Sequence, residues 1–301
     1  MMFVKRATTV GAGLIFAGVT AAAVELPHGF VYLADMAPAI RQDIRYSSAH
    51  NFIGRPVQGY LANECVLTEP AAAALAQVQT ELAAKKLSLV VWDCYRPARA
   101  VRNFLAWSQV PEDARMKAEF FPNTDKAQFL ALGYLASRSA HSRGSTVDLA
   151  IVPSNLRSLP AYDQMVPLRP CTAPRGERFD DGTIDFGTGY DCFDPLASTA
   201  NPSVPREAMS NRILLQRLMQ RSGFKSYSRE WWHFKLADEP FPQRSFDFPI
   251  IARGSSQADT QAKLPSLRSH WASFKAAVLH RDSTANGSWR FMRIDAGHKT
   301  D

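Results

Sequence analysis

His141, Asp148 and His233 carry side chains of the types that can ligate a divalent metal ion. Imidazole nitrogen and carboxylate oxygen suit zinc, and three protein ligands with a fourth position open define a catalytic zinc site. His141 and Asp148 share the stretch SAHSRGSTVDLAIV, spaced His-x6-Asp, with Gly144 between them to permit a tight turn. The second half of that stretch reads as a buried strand. A carboxylate there is costly unless it meets a cation or several hydrogen bonds. Spacing alone leaves both options open: a cation beside Asp148, or backbone donors around it with His141 half-buried.

His233 closes the short run EWWH, three residues after Glu230. A free carboxylate next to a metal ligand is what a bound water needs to lose its proton. In a regular strand, positions three apart face opposite sides, so the pair requires a bend, or Glu230 just ahead of the strand. Trp231 and Trp232 read as core residues in either case. Arg96, in WDCYRP, follows a strand end and precedes Pro97, so it is expected to stand rigidly at a rim. A fixed guanidinium there can stabilise an oxyanion. Asp93 either orients Arg96 or binds a cationic group; a structural pair beside a turn is the alternative.

These residues need elements to carry them. Residues 69–86 read as a helix with Pro near its start and lysines at its end. LSLVVWD reads as a buried strand ending at Asp93, and ARAVRNFLAWSQ as a second helix. The first half of KAQFLALGYLAS is expected to be helical. SNRILLQRLMQRSGF reads as an amphipathic helix with Ser210 as its N-cap and Gly223 past its end. YSREWWHFKL is strand-like. Residues 153–205, rich in Pro, Gly, Asp and Thr, read as a long irregular region. No internal repeat is visible, and α and β elements mix without regular alternation, so the class is α+β.

The chain has 301 residues and a formal net charge of +7, but its basic residues are scattered rather than gathered into a stripe, which argues against a nucleic-acid partner. Residues 1–23 run from Lys5 and Arg6 through an apolar stretch to Ala21-Ala22-Ala23, the order of a secretory signal peptide; a retained anchor is the alternative. No other segment is apolar enough to span a bilayer, so an exported protein without stable membrane insertion is expected. Four cysteines in an oxidising compartment suggest disulfides, with three pairings open. Cys171 with Cys192 would close one Gly- and Asp-rich loop and leave Cys65 with Cys94; buried free thiols are the alternative.

SAHSRGSTVD and EWWH resemble the signatures of zinc D,D-peptidases. WDCYRP, NFIGRPVQGY, FFPNTDK, FGTGYDCFD and SGFKSYSREWWHFKL narrow the resemblance to D-alanyl-D-alanine dipeptidases, over roughly residues 33–248. The resemblance implies a single catalytic domain, 24–249, with a central, mostly antiparallel sheet flanked by helices (the zinc D,D-peptidase/Hedgehog-like fold), and a basic tail at 250–301. It implies one Zn2+ per subunit on His141, Asp148 and His233, Glu230 as general base and later proton donor, and Arg96 at the tetrahedral intermediate. Tyr46, Ser139 and Asp191 fall where the family contacts its dipeptide, with Asp93 in the same pocket. Tyr46 and Asp191, helped by Asp148, are expected to hold the free amine and so to exclude longer peptides. Cys94 stands where the family often has Gly, and Thr146 where it often has Ala. The insertion at about 155–185 is longer than the family pattern, and the tail has no counterpart in it. The expected activity is hydrolysis of D-Ala-D-Ala in periplasmic cell-wall turnover. The alternatives are a zinc carboxypeptidase or endopeptidase on peptidoglycan stem peptides, and a non-catalytic zinc-stabilised binding module. Nothing in the sequence indicates an oligomeric state.

Overall fold

The computed structural model describes residues 25–256. The expected signal segment and most of the expected tail lie outside the described residues. The elements in chain order are β1 (Phe30–Tyr32), α1 (Leu33–Met36), β2 (Arg41–Gln42), β3 (Val66–Thr68), α2 (Glu69–Ala83), β4 (Leu87–Asp93), α3 (Ala98–Ser108), α4 (Lys117–Phe120), β5 (Thr146–Pro153), α5 (Arg206–Arg221), β6 (Phe224–Tyr227) and β7 (Glu230–Leu236). The architecture is mixed α and β. A five-stranded sheet runs β2-β4-β5-β7-β6, and β1 and β3 form a separate pair. In the larger sheet β2 lies parallel to β4, while β4/β5, β5/β7 and β7/β6 are antiparallel. Among the described residues, no helix is long and apolar enough to cross a membrane.

β5 is the central strand, and Val147 to Val152 are buried on both faces, which is why TVDLAIV reads as an apolar run rather than an alternation. α2 buries Ala71, Ala72, Leu75, Val78 and Leu82, a stripe at helical spacing. Its Gln79 side chain accepts from the Leu89 N–H at 2.9 Å and so ties the helix to β4.

Three local expectations change. KAQFLALGYLAS forms only a 3-10 turn at Lys126–Gln128, where Gly133 at φ 78° and the loop around it interrupt any longer helix. α5 starts at Arg206 behind Pro205, so Ser210 is inside the helix and its hydroxyl donates to the Arg206 carbonyl four residues back. The packed domain runs past 249. Ile250 and Ile251 are buried, Ile250 N–H donates to the Gly59 carbonyl, and Arg253 pairs with Asp35 and Glu64. Residues 155–185 contain no helix or strand, as their composition implies.

Both expected disulfides are present, Cys65–Cys94 and Cys171–Cys192, with no free cysteine among the described residues.

Candidate active site

The sheet register brings the chemistry together. Asp93 on β4 stands opposite Asp148 on β5, and Asp148 opposite His233 on β7, so three functional positions form one row across three strands. A register shift between Val91 and Asp93 is what aligns Asp93 with Asp148. A second irregularity, between Ser226 and Tyr227 on β6, sets Tyr227 opposite Glu230 although Ser226 pairs with Phe234. That break in β7 supplies the bend that Glu230 and His233 need to face the same cavity.

His141 comes from the 3-10 turn Ala140–Arg143. Ser139 caps the turn, accepting from the His141 N–H at 3.3 Å, and Gly144 ends it at φ 84°. A Cβ on Gly144 would lie 2.2 Å from Phe30 Cε1, so the turn is both left-handed and pressed against the core. His141 Nδ1 donates to the Cys94 carbonyl at 2.8 Å, leaving the Nε2 lone pair facing the other ligands.

His141 Nε2 lies 3.3 Å from His233 Nδ1 and 3.4 Å from Asp148 Oδ1, and His233 Nδ1 lies 3.0 Å from Asp148 Oδ1. Ligands about 2.0–2.2 Å from a tetrahedral zinc ion stand about 3.3–3.5 Å from one another, which is close to this triangle. Asp148 Oδ1 is also a buried atom with no hydrogen bond. A buried carboxylate oxygen 3.0 and 3.4 Å from two imidazole nitrogens fits a cation held between them. The three residues can hold a metal ion. Burial pushes the Asp148 carboxyl up, but His141 and His233 outweigh it and hold the group below the usual carboxylate range.

Around this triangle lies a cavity of about 270 Å³ lined in part by Tyr46, Arg96, Arg138, Ser139, Asp191 and Glu230. Glu230 Oε2 is 3.6 Å from His233 Nδ1. Burial, with Asp148 adding to it, raises the Glu230 carboxyl to about 8. Arg96 packs over the Tyr46 and Phe104 rings, and its Nη2 lies 3.7 Å from Asp148 Oδ2. Tyr46 donates to Asp191 Oδ2 at 2.7 Å. Burial, then the nearby Asp148 charge, raises the Asp191 carboxyl well above its ordinary value.

Of the two roles open to Asp93, it takes the orienting one, outside the expected substrate pocket. It is fully buried and does not line the cavity. Its Oδ2 accepts from Arg96 Nε at 2.9 Å and pairs with Nη2 at 2.8 Å, and its Oδ1 accepts from the Tyr60 hydroxyl at 2.6 Å. It stands behind Arg96, orienting the guanidinium.

Sequence reasoning passed over three side chains. Tyr190 donates to Asp148 Oδ2 at 3.1 Å, Tyr60 supports Asp93, and Arg138 stands exposed at the cavity wall. Tyr190 directly precedes Asp191 and Arg138 directly precedes Ser139, so adjacency to residues already singled out was the available signal. Tyr60 carried none.

A family model described as D-Ala-D-Ala dipeptidase matches residues 27–160 and 177–251. A D-alanyl-D-alanine dipeptidase of Streptomyces coelicolor is 40% identical over 221 residues, 73% of this chain and 98% of the relative. The enzymes of the same name from Enterococcus faecalis and Escherichia coli are 35% and 28% identical, over 75% and 74% of this chain and 100% and 89% of their own lengths. The matched segments contain Arg96, His141, Asp148, Asp191, Glu230 and His233, and the chain belongs to the D-Ala-D-Ala dipeptidase family of peptidases.

Proposed function

We propose that the protein is a zinc-dependent dipeptidase that hydrolyses free D-Ala-D-Ala. The observation that carries this reading is the His141–Asp148–His233 triangle, with its unsatisfied Asp148 oxygen, beside the buried carboxylate of Glu230.

Zinc held by these three residues would supply Lewis acidity to a water molecule and to the scissile carbonyl. Glu230 takes the proton of the attacking water and returns it to the leaving amine; a carboxyl biased upward by burial is suited to both steps. Arg96, held by Asp93, donates to the carbonyl oxygen as negative charge grows on it. Asp191 and the Tyr46 hydroxyl hold the substrate ammonium group. Arg138 and Ser139, on the same wall, meet the terminal carboxylate. The site is thus matched to a molecule charged at both ends. One Zn2+ per subunit, the zinc D,D-peptidase fold and a single catalytic domain belong to the same proposal. Export to the periplasm and a role in cell-wall peptide turnover extend it, supported by two disulfides that need an oxidising compartment.

The test is hydrolysis of D-Ala-D-Ala, L-Ala-L-Ala and N-acetyl-D-Ala-D-Ala by the zinc-loaded and the chelated protein. Cleavage of the free D,D-dipeptide alone, lost on chelation and restored by zinc, is expected. Equal cleavage of the acetylated peptide would replace this reading with a carboxypeptidase. Zinc binding without any hydrolysis would leave a binding module.

A further inference from the structure

Asp191 is held in a conformation it would not adopt by itself. Its φ is 53°, in the left-handed region that L side chains rarely enter. Among the described residues its own N–H and carbonyl make no backbone hydrogen bond. Its carboxylate is buried, and its hydrogen bond comes from Tyr46. The strained backbone drives this residue away from its place in the cavity wall, so its neighbours must retain it.

Cys171 grips the chain on both sides of Asp191. Its sulfur is bonded to Cys192, the next residue, and its carbonyl accepts from the Gly189 N–H at 2.8 Å. Cys171 is in turn fixed by its N–H, which donates to the Glu119 carbonyl at 2.8 Å, while Phe193 N–H donates to Phe120 at 2.7 Å. Cys171 lies in 161–176, the stretch between the two segments that match the family. The grip therefore comes from a stretch outside the matched segments, placed beside the residue that would meet the substrate amine.

We propose that segment 161–176, acting through the Cys171–Cys192 bridge, positions Asp191 and so sets the preference of the cavity for a substrate with a free amine. Cys171 and Cys192 are positioning residues: they touch neither substrate nor metal. Opening the bridge lets Asp191 relax toward an ordinary backbone conformation, and its carboxylate leaves the cavity. The chemistry at Glu230 and Arg96 stays in place, because those side chains are held by β7 and by Asp93. The inference rests on the dipeptide reading of the cavity.

The test uses the zinc-loaded full chain with Cys171→Ala/Cys192→Ala, and with Cys171→Val/Cys192→Ala, which refills part of the sulfur volume. Steady-state constants are measured for D-Ala-D-Ala and N-acetyl-D-Ala-D-Ala, with zinc content and thermal melting as controls. The expected result is a KM for the free dipeptide raised about tenfold, the loss of one charge-assisted contact. kcat and zinc content should change little, and discrimination against the acetylated peptide should shrink. In an Asp191→Asn background the cysteine changes should add nothing further to KM. An unchanged KM in folded variants overturns the proposal, as does a KM effect that persists in full in the Asn background. A parallel loss of kcat and zinc, or failure of both variants to fold, overturns it too, since the bridge then serves the whole domain. A wild-type protein that does not cleave D-Ala-D-Ala overturns the dipeptide reading itself and this inference with it.

Discussion

Asp93→Asn keeps the shape of a fully buried side chain and removes its charge. Asp93 Oδ2 receives two contacts from Arg96, at 2.8 and 2.9 Å, and Oδ1 receives the Tyr60 hydroxyl at 2.6 Å. An amide offers one acceptor, which must face Arg96, so the NH2 group then meets Tyr60 and the hydroxyl has to turn from donor to acceptor. Bonds to a charged group contribute about 1.5–3 kcal/mol each against about 1 for neutral ones. Two weakened bonds to Arg96, each losing about 0.5–2 kcal/mol, therefore cost about 1–4 kcal/mol of stability. Arg96, without its buried counter-ion, is drawn toward Asp148, already 3.7 Å from Nη2, and away from the position the oxyanion will occupy. Complete removal of an oxyanion donor costs about 10²–10³ in kcat, so displacement should cost about 10–100-fold. The assay is a cycle of Asp93→Asn, Arg96→Ala and the double variant, with kcat, KM for D-Ala-D-Ala and zinc content measured on each. If Asp93 acts through Arg96, the Asn change has no further effect on kcat once Arg96 is gone. Full additivity, or an effect confined to KM, would refute this and return Asp93 to the substrate-binding role that the sequence suggested.

Gly144→Ala combines a left-handed backbone with a Cβ 2.2 Å from Phe30 Cε1. A destabilisation of about 2–5 kcal/mol, seen as a lower melting temperature, and weaker zinc binding through His141 are expected. Arg138→Gln should raise KM for D-Ala-D-Ala about tenfold while leaving kcat and the cleavage of D-Ala-D-alaninamide unchanged, because only the carboxylate loses a partner; equal effects on both substrates would place Arg138 outside the site. Glu230→Gln should retain zinc by metal analysis and lose activity by about 10²–10⁴-fold. Cys65→Ala/Cys94→Ala removes a bridge across 29 positions, beside the carbonyl that orients His141; a lower melting temperature together with weaker zinc retention is the expected pair of outcomes.

Much of the site was legible because its parts have local reasons. His-x6-Asp across a glycine turn, an acid inside an apolar strand, and Glu three residues before His each break a rule of local composition, and chemistry is what justifies the break. α2 and β4 were legible from periodicity and apolar runs. Ser210 was misplaced as a cap because a hydroxyl can equally bond the carbonyl four residues back inside a helix. The three-residue spacing from Arg96 allowed Asp93 either of two roles, orienting the guanidinium or binding a cationic group; the choice was not readable, because a register shift changes the side of the strand a residue takes.

The sequence by itself determined the ligand types, the turn at Gly144 and the carboxylate beside His233, while it left three cysteine pairings open until the fold chose Cys65–Cys94 and Cys171–Cys192. The features it determined depend on residue chemistry and on distances of a few residues along the chain. Only the tertiary structure decided that Asp148 and His233 meet within 3.0 Å, that Asp93 stands behind Arg96, and that Cys171 brackets Asp191. Those outcomes are set by strand register, by two irregularities in the sheet, and by the docking of a long insertion. Each is a sum over many packing contacts distant in sequence, and no short stretch contains it.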